Sequence, residues 1–389
     1  MKVPLLDLKP QYQALKADID AAIARVCESQ YFILGPAIKE FEGAVAAYSH
    51  TAHGVGVSSG TDALLLALMG LGIGQGDEVI TSSYTFFATG GTIARSGARP
   101  IFLDIDAATF NLSPALVRGF LEQQCERREG GVFNRATGGR IRALMPVHLY
   151  GQLADMQSLG AIAREYGLKV IEDAAQAIGA ADEHGQRACS FGDVGCLSFF
   201  PTKNLGAFGD AGACVTNDAE LAKHMAILRV HGMEPKYYHA FIGGNFRIDE
   251  IQAAVLNVKL KVLDSWSEGR QRNAAFYDAA FAAAGLGDMV TTPYAVPGYR
   301  HIYNQYVIRV QQRDALRKHL ADAGIGSEVY YPMPLHQQKC FEYLGYQTGE
   351  LPESEKAAAE TVALPIFPEL EQAQLQYVVD SIAGFYRAA

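Results

Sequence analysis

One lysine stands among apolar and small residues in the stretch Leu197-Ser198-Phe199-Phe200-Pro201-Thr202-Lys203-Asn204-Leu205-Gly206. An amine at the edge of a core loses hydration, so its pKa falls and its nucleophilicity at neutral pH rises. That is the state a lysine needs to form a Schiff base with a carbonyl compound. The alternative is an ordinary loop lysine whose charge reaches water. Upstream, Lys169-Val170-Ile171-Glu172-Asp173-Ala174-Ala175-Gln176 ends an apolar run in two acids. A buried carboxylate at a strand end needs a cationic partner; otherwise it caps the next helix. Ser58-Ser59-Gly60-Thr61-Asp62 enters a run that is apolar on every face, Ala63 to Leu68. The free N–H groups of such a buried helix start favour a phosphate, although from this stretch alone Ser59, Thr61 or Asp62 acting as a plain cap is the commoner arrangement. Tyr84-Thr85-Phe86-Phe87 offers a ring to stack on a flat ligand or to pack in a core. His148, in His148-Leu149-Tyr150-Gly151-Gln152, is either a hydrogen-bond donor to a ligand or a satisfied core histidine.

Taken together and in order, a phosphate-binding helix start, a stacking aromatic, an acid after a β-run and a later lysine beside Ser198 are the working parts of pyridoxal phosphate (PLP) enzymes. The carboxylate keeps the pyridine nitrogen protonated and the lysine holds the aldehyde.

These residues need a scaffold that gathers strand ends. Short β-rich runs occur at 54–58, 78–83, 99–105, 142–149, 169–174, 194–199 and 212–217, with helical stretches at 61–71, 86–96, 113–124 and 153–166. Such alternation predicts an α/β domain with a mostly parallel seven-stranded sheet, whose ligands bind beyond the carboxyl ends of the strands. The last two runs are joined by a loop alone, which permits one antiparallel pair. Amphipathic spacing predicts helices at 10–29 and 37–48 ahead of the sheet and at 218–230 after it. A long helical stretch from Ile248 to about residue 284, with a kink near Gly269, leads into a smaller α+β domain. There, strands are expected near 304–310 and 327–331, and helices near 312–323, 353–360 and 369–386. The expected division is 1–245 for the large domain and 246–389 for the small one. The segment 125–141 is polar, glycine-rich and basic, and reads as a surface excursion.

Composition narrows the function classes. The 389 residues are 49% hydrophobic and 19% charged, which is globular, and the net charge of −9 argues against a dedicated nucleic-acid binder. No apolar stretch is long enough to span a bilayer, and the N-terminus has no signal-peptide core, so a cytoplasmic enzyme is expected. The six cysteines form no Cys-x-x-Cys pair and read as reduced thiols, with no metal site.

The chain resembles the DegT-type nucleotide-sugar aminotransferases along essentially its whole length. The resemblance rests on QYFILGP at 30–36, SSGTDALLLAL at 58–68, GDEVITSSYTFFATGGTI at 76–93, MPVHLYGQ at 145–152 and VIEDAAQAIGA at 170–180. It continues through SFGDVGCLSFFPTKNLGAFGDAGACVTN at 190–217, GGNFRIDEIQAAV at 243–255 and VYYPMPLH at 329–336. It implies the fold type I, aspartate aminotransferase-like architecture. Lys203 would hold the cofactor aldehyde and shuttle the proton. Asp173 would pair with the pyridine nitrogen, Gln176 would lie near the ring hydroxyl, and Phe86 would stack on the ring. Gly60, Thr61 and Ser198 would bind the phosphate, with Asn245 reaching it from the neighbouring subunit of a homodimer with composite sites. Arg247, Tyr330, Tyr331 and His148 are the candidate substrate contacts. The implied reaction moves an amino group from L-glutamate, through pyridoxamine phosphate, to a keto-sugar nucleotide. A 3-keto UDP-N-acetyl sugar destined for lipopolysaccharide, O-antigen or another glycoconjugate is the first reading. A dTDP-3-keto- or 4-keto-6-deoxyhexose is the alternative. Sugar dehydratases of similar sequence carry histidine in place of the lysine, so Lys203 speaks against that chemistry. A PLP-binding regulator would be expected to append a DNA-binding module. The excursion at 125–141 departs from the short link usual in the family.

Overall fold

The computed structural model describes residues 1–388. Seven strands form at the seven β-rich runs: β1 (His53–Val57), β2 (Asp77–Ser82), β3 (Arg99–Leu103), then β6 (Arg140–Met145), β7 (Lys169–Asp173), β8 (Val194–Ser198) and β9 (Gly212–Thr216). Two more, β4 (Cys125–Arg128) and β5 (Gly131–Asn134), lie between β3 and β6. The sheet is therefore nine-stranded rather than seven-stranded, with the path β1-β9-β8-β7-β6-β2-β3 and the β4–β5 hairpin attached to β6. The pairs β3–β2, β2–β6, β6–β7 and β7–β8 are parallel. Strand β9 runs antiparallel to both β8 and β1. No helix lies between β8 and β9, and without a crossover the chain can return only antiparallel.

The surface excursion expected at 125–141 is there, and it is folded as a hairpin. Gly130 and Gly131 sit at φ +93° and +141°, a region open to glycine, and let the chain turn back. Val132 and Phe133 then pair with Ile141 and Arg140 at the start of β6, ahead of the part of β6 that pairs with β7. The buried Glu78 carboxylate secures the following turn through Asn134 Nδ2 (2.9 Å) and Thr137 Oγ1 (2.5 Å). Arg127 pairs with Glu165, and Arg128 and Arg135 pair with Glu126. The hairpin's arginines are thus occupied at the amino ends of the strands.

Helices cover both faces, including α1 (Lys9–Ser29), α2 (Pro36–Tyr48), α3 (Gly60–Gly70), α4 (Phe87–Arg95), α5 (Pro114–Gln124), α6 (Met156–Tyr166) and α7 (Ala219–Leu228). Helix α3 matters most for the site. Leu64, Leu65, Leu66 and Leu68 are all buried, against Val55, Val57, Cys196 and Cys214 of the sheet. Each buried leucine contributes about 1.5–3 kcal/mol, so the N-terminus of α3 is held by the core rather than by its own turn.

The long helical stretch is two helices, α8 (Glu250–Leu260) and α9 (Leu263–Ala283), and the break falls before Leu263, not near Gly269. Gly269 is glycine for another reason: a Cβ there would lie 2.8 Å from Pro368 Cβ. Ile248, Ala253, Leu256 and Leu263 pack with Phe41 and Val45 in the core beside the large sheet. Ala274, Tyr277 and Phe281 pack in a second core with β11 (Tyr306–Val310) and β12 (Thr361–Leu364). The packing changes over inside α9, downstream of residue 245, and Val3 returns the chain's start to the second core. The small sheet is β10 (Val290–Thr291), β11 and β12, all antiparallel, flanked by α10 (Arg313–Asp322), α11 (Pro352–Glu360) and α12 (Gln372–Ala388).

The strand expected at 327–331 does not form; a single bridge joins Glu328 to Ala363. The backbone of this segment is satisfied elsewhere. Tyr84 Oη accepts from Tyr331 N–H (3.0 Å), and Tyr150 Oη donates to Tyr330 C=O. Side-chain hydroxyls of the large domain thus replace a strand ladder and turn the segment inward.

Candidate functional site

The ends of β1, β2, β7 and β8 open into one cavity of about 530 Å³. Nine of the twelve residues singled out from sequence line it: Gly60, Thr61, Phe86, Asp173, Gln176, Ser198, Lys203, Tyr330 and Tyr331.

At one end, the turn after β1 meets the ends of β8 and β9. A Cβ on Gly60 would lie 2.6 Å from Ser198 Cβ, and one on Gly212 would lie 2.4 Å from the Ser59 carbonyl oxygen. Only glycine permits this close layering, and it brings the Ser198 hydroxyl to the N-terminus of α3. Ser59 caps that helix by accepting from Asp62 N–H (3.0 Å). The capping role therefore belongs to Ser59, which leaves Thr61 on the cavity wall. First-turn N–H groups, two hydroxyls and the helix dipole make an anion seat.

Asp173 closes the floor. Its Oδ2 accepts from Thr89 Oγ1 (2.7 Å) and its Oδ1 from Ala175 N–H (3.2 Å), and Thr89 Oγ1 lies 3.1 Å from Thr85 Oγ1. Burial pushes the Asp173 pKa up, against the pull of these hydrogen bonds and of Lys203. Lys203 has its amine at the cavity and protein around its stem; burial lowers its pKa to about 8, and Asp173 offsets part of that fall. Among the described residues neither group has an ion-pair partner within 4 Å. A buried acid short of a cation fits a ligand that brings an N–H⁺. An amine near neutrality fits a ligand that brings an aldehyde. Phe86 is 56% exposed at the rim, with its ring centroid 5.8 Å from that of Tyr331. Its face is available to a flat ring. Gln176 bridges the two sides, accepting from Tyr150 N–H (2.7 Å) and donating to Tyr331 Oη (3.0 Å).

Three expected residues lie elsewhere. His148 is completely buried and is corrected from a substrate contact to a core histidine. Its Nδ1 accepts from Ala154 N–H (3.1 Å) and its Nε2 donates to Glu172 Oε2 (2.9 Å). Glu172, the other acid of β7, also accepts from the N–H groups of Cys189, Phe191 and Gly192. One acid of the pair thus faces the cavity and its neighbour ties a loop behind the sheet, as strand alternation requires. Asn245 is exposed and Arg247 half-buried, both on the segment bridged to Val230 and Val57. Neither lines the cavity within this chain.

Sequence reasoning missed several lining or supporting residues. Thr89 and Thr85 flank Phe86, and their spacing of four on a helical start was the available signal. Tyr84 is a supporting residue: its hydroxyl joins Tyr330, Tyr331, Tyr150 and Thr361. Leu5, Leu6, Arg270, Asn304 and Gln305 come from distant stretches, and nothing local marked them.

A family model described as the DegT/DnrJ/EryC1/StrS aminotransferase family matches residues 13–383. A Geobacillus stearothermophilus protein named pleiotropic regulatory protein is 50% identical, covering 100% of this chain and 99% of its own. The dTDP-3-amino-3,4,6-trideoxy-alpha-D-glucose transaminase of Streptomyces venezuelae is 43% identical over 98% of this chain and 95% of its own. The UDP-N-acetyl-3-dehydro-alpha-D-glucosamine 3-aminotransferase of Acidithiobacillus ferrooxidans is 41% identical over 98% and 97%. Among solved structures, that of S. venezuelae DesV in complex with a ketimine intermediate superposes with a TM-score of 0.91 at 42% identity, covering 99% of this chain and 98% of that one.

Proposed function

The chain belongs to the DegT/DnrJ/EryC1/StrS aminotransferase family, and we propose that it transfers an amino group from L-glutamate to a keto-sugar nucleotide with pyridoxal phosphate as resident cofactor. The observation that carries this reading is the meeting of Lys203, Asp173 and the Gly60–Thr61–Ser198 anion seat in one cavity. Pyridoxal phosphate, when bound, supplies an aldehyde that captures amines and a ring that withdraws electrons, and it returns through its pyridoxamine form. The protein's own residues do the rest. Gly60, Thr61 and Ser198 would hold the phosphate, and Phe86 would cover the ring. Asp173 would accept the pyridinium N–H, aimed by Thr89, and Gln176 would lie near the ring hydroxyl. Lys203 Nζ would hold the aldehyde and, once displaced by the donor amine, would be free to carry the donor's Cα proton.

The acceptor in this reading is a 3-keto UDP-N-acetyl sugar, with a dTDP-3-keto- or 4-keto-6-deoxyhexose as the second candidate. The names of the two transaminase relatives support a 3-keto position and divide on the nucleotide. Tyr330 and Tyr331 on one wall, with Arg247 nearby in sequence to Asn245, are the proposed sugar-nucleotide contacts. The product would serve cell-surface polysaccharide or glycoconjugate synthesis in the cytoplasm; no described helix is long and apolar enough to cross a membrane. A homodimer is part of the proposal. Tyr31, Phe32, Ile33 and Leu34 are exposed, as are Tyr237, Tyr238, Phe241 and Ile242 just before Asn245. Apolar surface of this extent favours a partner, which would bury it and bring Asn245 to the neighbouring phosphate.

The relative named as a regulatory protein aligns along nearly its whole length, so its name points to no added module, and the lysine-bearing cavity favours an enzyme. The test is a panel of UDP- and dTDP-linked 3-keto and 4-keto sugars, incubated with L-glutamate and scored by mass spectrometry. An amino sugar nucleotide is expected from one member. Conversion of the cofactor by glutamate with no sugar aminated would overturn the acceptor class.

A further inference from the structure

Lys203 sits on a loop that is closed on itself. Phe199 N–H donates to the Ala211 carbonyl (2.8 Å) and Ala207 N–H to the Phe199 carbonyl (2.8 Å), which folds residues 199–207 into a compact turn beyond β8. A Cβ on Gly206 would lie 2.2 Å from the Pro201 carbonyl oxygen, so the turn closes only on glycine. Helix α8 holds the far side of the loop. Lys259 Nζ donates to the Gly206 carbonyl (2.5 Å), and Gln252 Oε1 accepts from Phe208 N–H (2.7 Å). Both contacts lie downstream of the lysine, whose own N–H donates to the Phe200 carbonyl (2.8 Å).

The residue next to the lysine is tied elsewhere. Asn204 is 5% exposed; its Nδ2 donates to the Ile302 carbonyl (3.0 Å) and its Oδ1 accepts from Asn304 Nδ2 (2.9 Å). A buried amide costs free energy unless both its ends are paired. A leucine of similar volume would fill the space, as Leu205 does beside it. The amide's contribution is therefore direction rather than bulk. The stretch it grips, 302–304, is where the two domains join. Ile302 packs in the core beside the large sheet, and Tyr303 in the core of the small domain. Ile302 N–H donates to the Gly151 carbonyl (2.9 Å) on one side. On the other, Arg270 Nη1 donates to the carbonyls of Tyr303 (3.0 Å) and Asn304 (3.3 Å). The anchor for Asn204 is thus fixed from both domains.

We propose that Asn204 is a positioning residue for Lys203: it clamps the backbone beside the lysine to the domain seam and so sets where Nζ stands in the cavity. The inference rests on the aminotransferase reading and adds to it a residue that does not itself line the cavity. The lysine stem is flexible, and Nζ must meet first an aldehyde carbon and then a proton on Cα. A misplacement of about 1 Å in such an arrangement costs on the order of 10²-fold in rate. Fixing residue 204 removes the backbone's share of that freedom and leaves only the stem to move. It also makes the placement of the amine depend on the small domain being docked.

The experiment separates capture of pyridoxal phosphate, which needs Lys203 in place, from binding of pyridoxamine phosphate, which does not. Capture joins Nζ to the aldehyde carbon with loss of water. Borohydride then reduces the link, and mass spectrometry follows the modified Lys203 peptide over time. Asn204→Leu keeps the volume and removes both hydrogen bonds. It is expected to capture pyridoxal phosphate roughly 10–10²-fold more slowly and to lose a similar factor in kcat, with affinity for pyridoxamine phosphate by calorimetry within about threefold of wild type. Asn304→Ala removes only one of the two bonds and should slow capture by roughly three- to tenfold. Capture at the wild-type rate in Asn204→Leu overturns the assignment. So does a loss of affinity for pyridoxamine phosphate equal to the loss in capture, which would mean that the residue only shapes the site. Should Asn204→Leu fail to fold, Asn304→Ala decides by the same two measurements. A wild-type protein that captures the cofactor at Lys203 but converts no amino acid would sink the aminotransferase reading and leave the clamp standing.

Discussion

The two walls of the cavity are built by different means. The cofactor wall comes from strand ends and helix starts of one sheet: the turn at Gly60, Asp173 at the end of β7, Ser198 at the end of β8 and Lys203 shortly after it. Each is fixed within a few residues of a regular element whose core face is buried. The facing wall is assembled from pieces far apart in sequence: Leu5 and Leu6, Arg270, Asn304 and Gln305, and Tyr330 and Tyr331. It is held by hydroxyls and guanidinium groups reaching across domains. The first wall suits a permanent tenant, and the second suits substrates that must come and go.

That contrast can be broken by substitution. Lys203→Ala should abolish the visible absorbance of the lysine-bound cofactor and lower turnover by roughly 10²–10⁴-fold, with circular dichroism unchanged. In the same residue, capture of pyridoxal phosphate by the apo-protein should rise about tenfold per pH unit below about pH 8 and level off above it. The amine's lowered pKa means the neutral form gains as pH rises through that value. A flat pH profile would contradict the buried setting. Asp173→Asn keeps the shape but removes the charge; kcat is expected to fall by roughly 10²–10³-fold with the protein folded. On the facing wall, Tyr84→Phe leaves Tyr331 N–H short of a partner and removes the hydroxyl's contact with Thr361, which keeps its bond to the Ala357 carbonyl. It should cost about 1–3 kcal/mol in denaturant unfolding and weaken acceptor binding more than cofactor loading. Equal effects on both would erase the distinction between the walls. The smallest effect is expected from Thr89→Val, which removes one hydrogen bond to Asp173: roughly tenfold in cofactor affinity, restored by Thr89→Ser.

The same contrast explains what could be read from the chain. Alternation located all seven principal strands, because each is a short apolar run bounded by turns and covered on both faces. The hairpin is hard to see in sequence because its strands are only four residues long and β4 carries exposed arginines. The break before Leu263 was misplaced to Gly269, since a glycine needed for contact with Pro368 looks like one needed for a kink. Segment 327–331 was read as a strand from its own composition, although Tyr84 and Tyr150 decide its course. His148 was open between two roles, and only the position of Glu172 resolved it. On the cofactor wall, chemistry and secondary structure coincide in sequence, so seven of its residues are legible there: Gly60, Thr61, Phe86, Asp173, Gln176, Ser198 and Lys203. On the facing wall, Arg270 is one more charged residue on a helix until the carbonyls of Tyr303 and Ile366 are seen around it.

The β4–β5 hairpin bears on how this protein can be handled. Its base lies at the amino end of β6, no residue of it lines the cavity, and Glu78 anchors the base independently of the tip. Gly130 and Gly131 at that tip have no structural neighbour that a longer loop would displace apart from the Arg140 side chain. The tip is therefore a natural graft point: a peptide tag or fluorophore placed between them would report on this molecule without entering the chemistry.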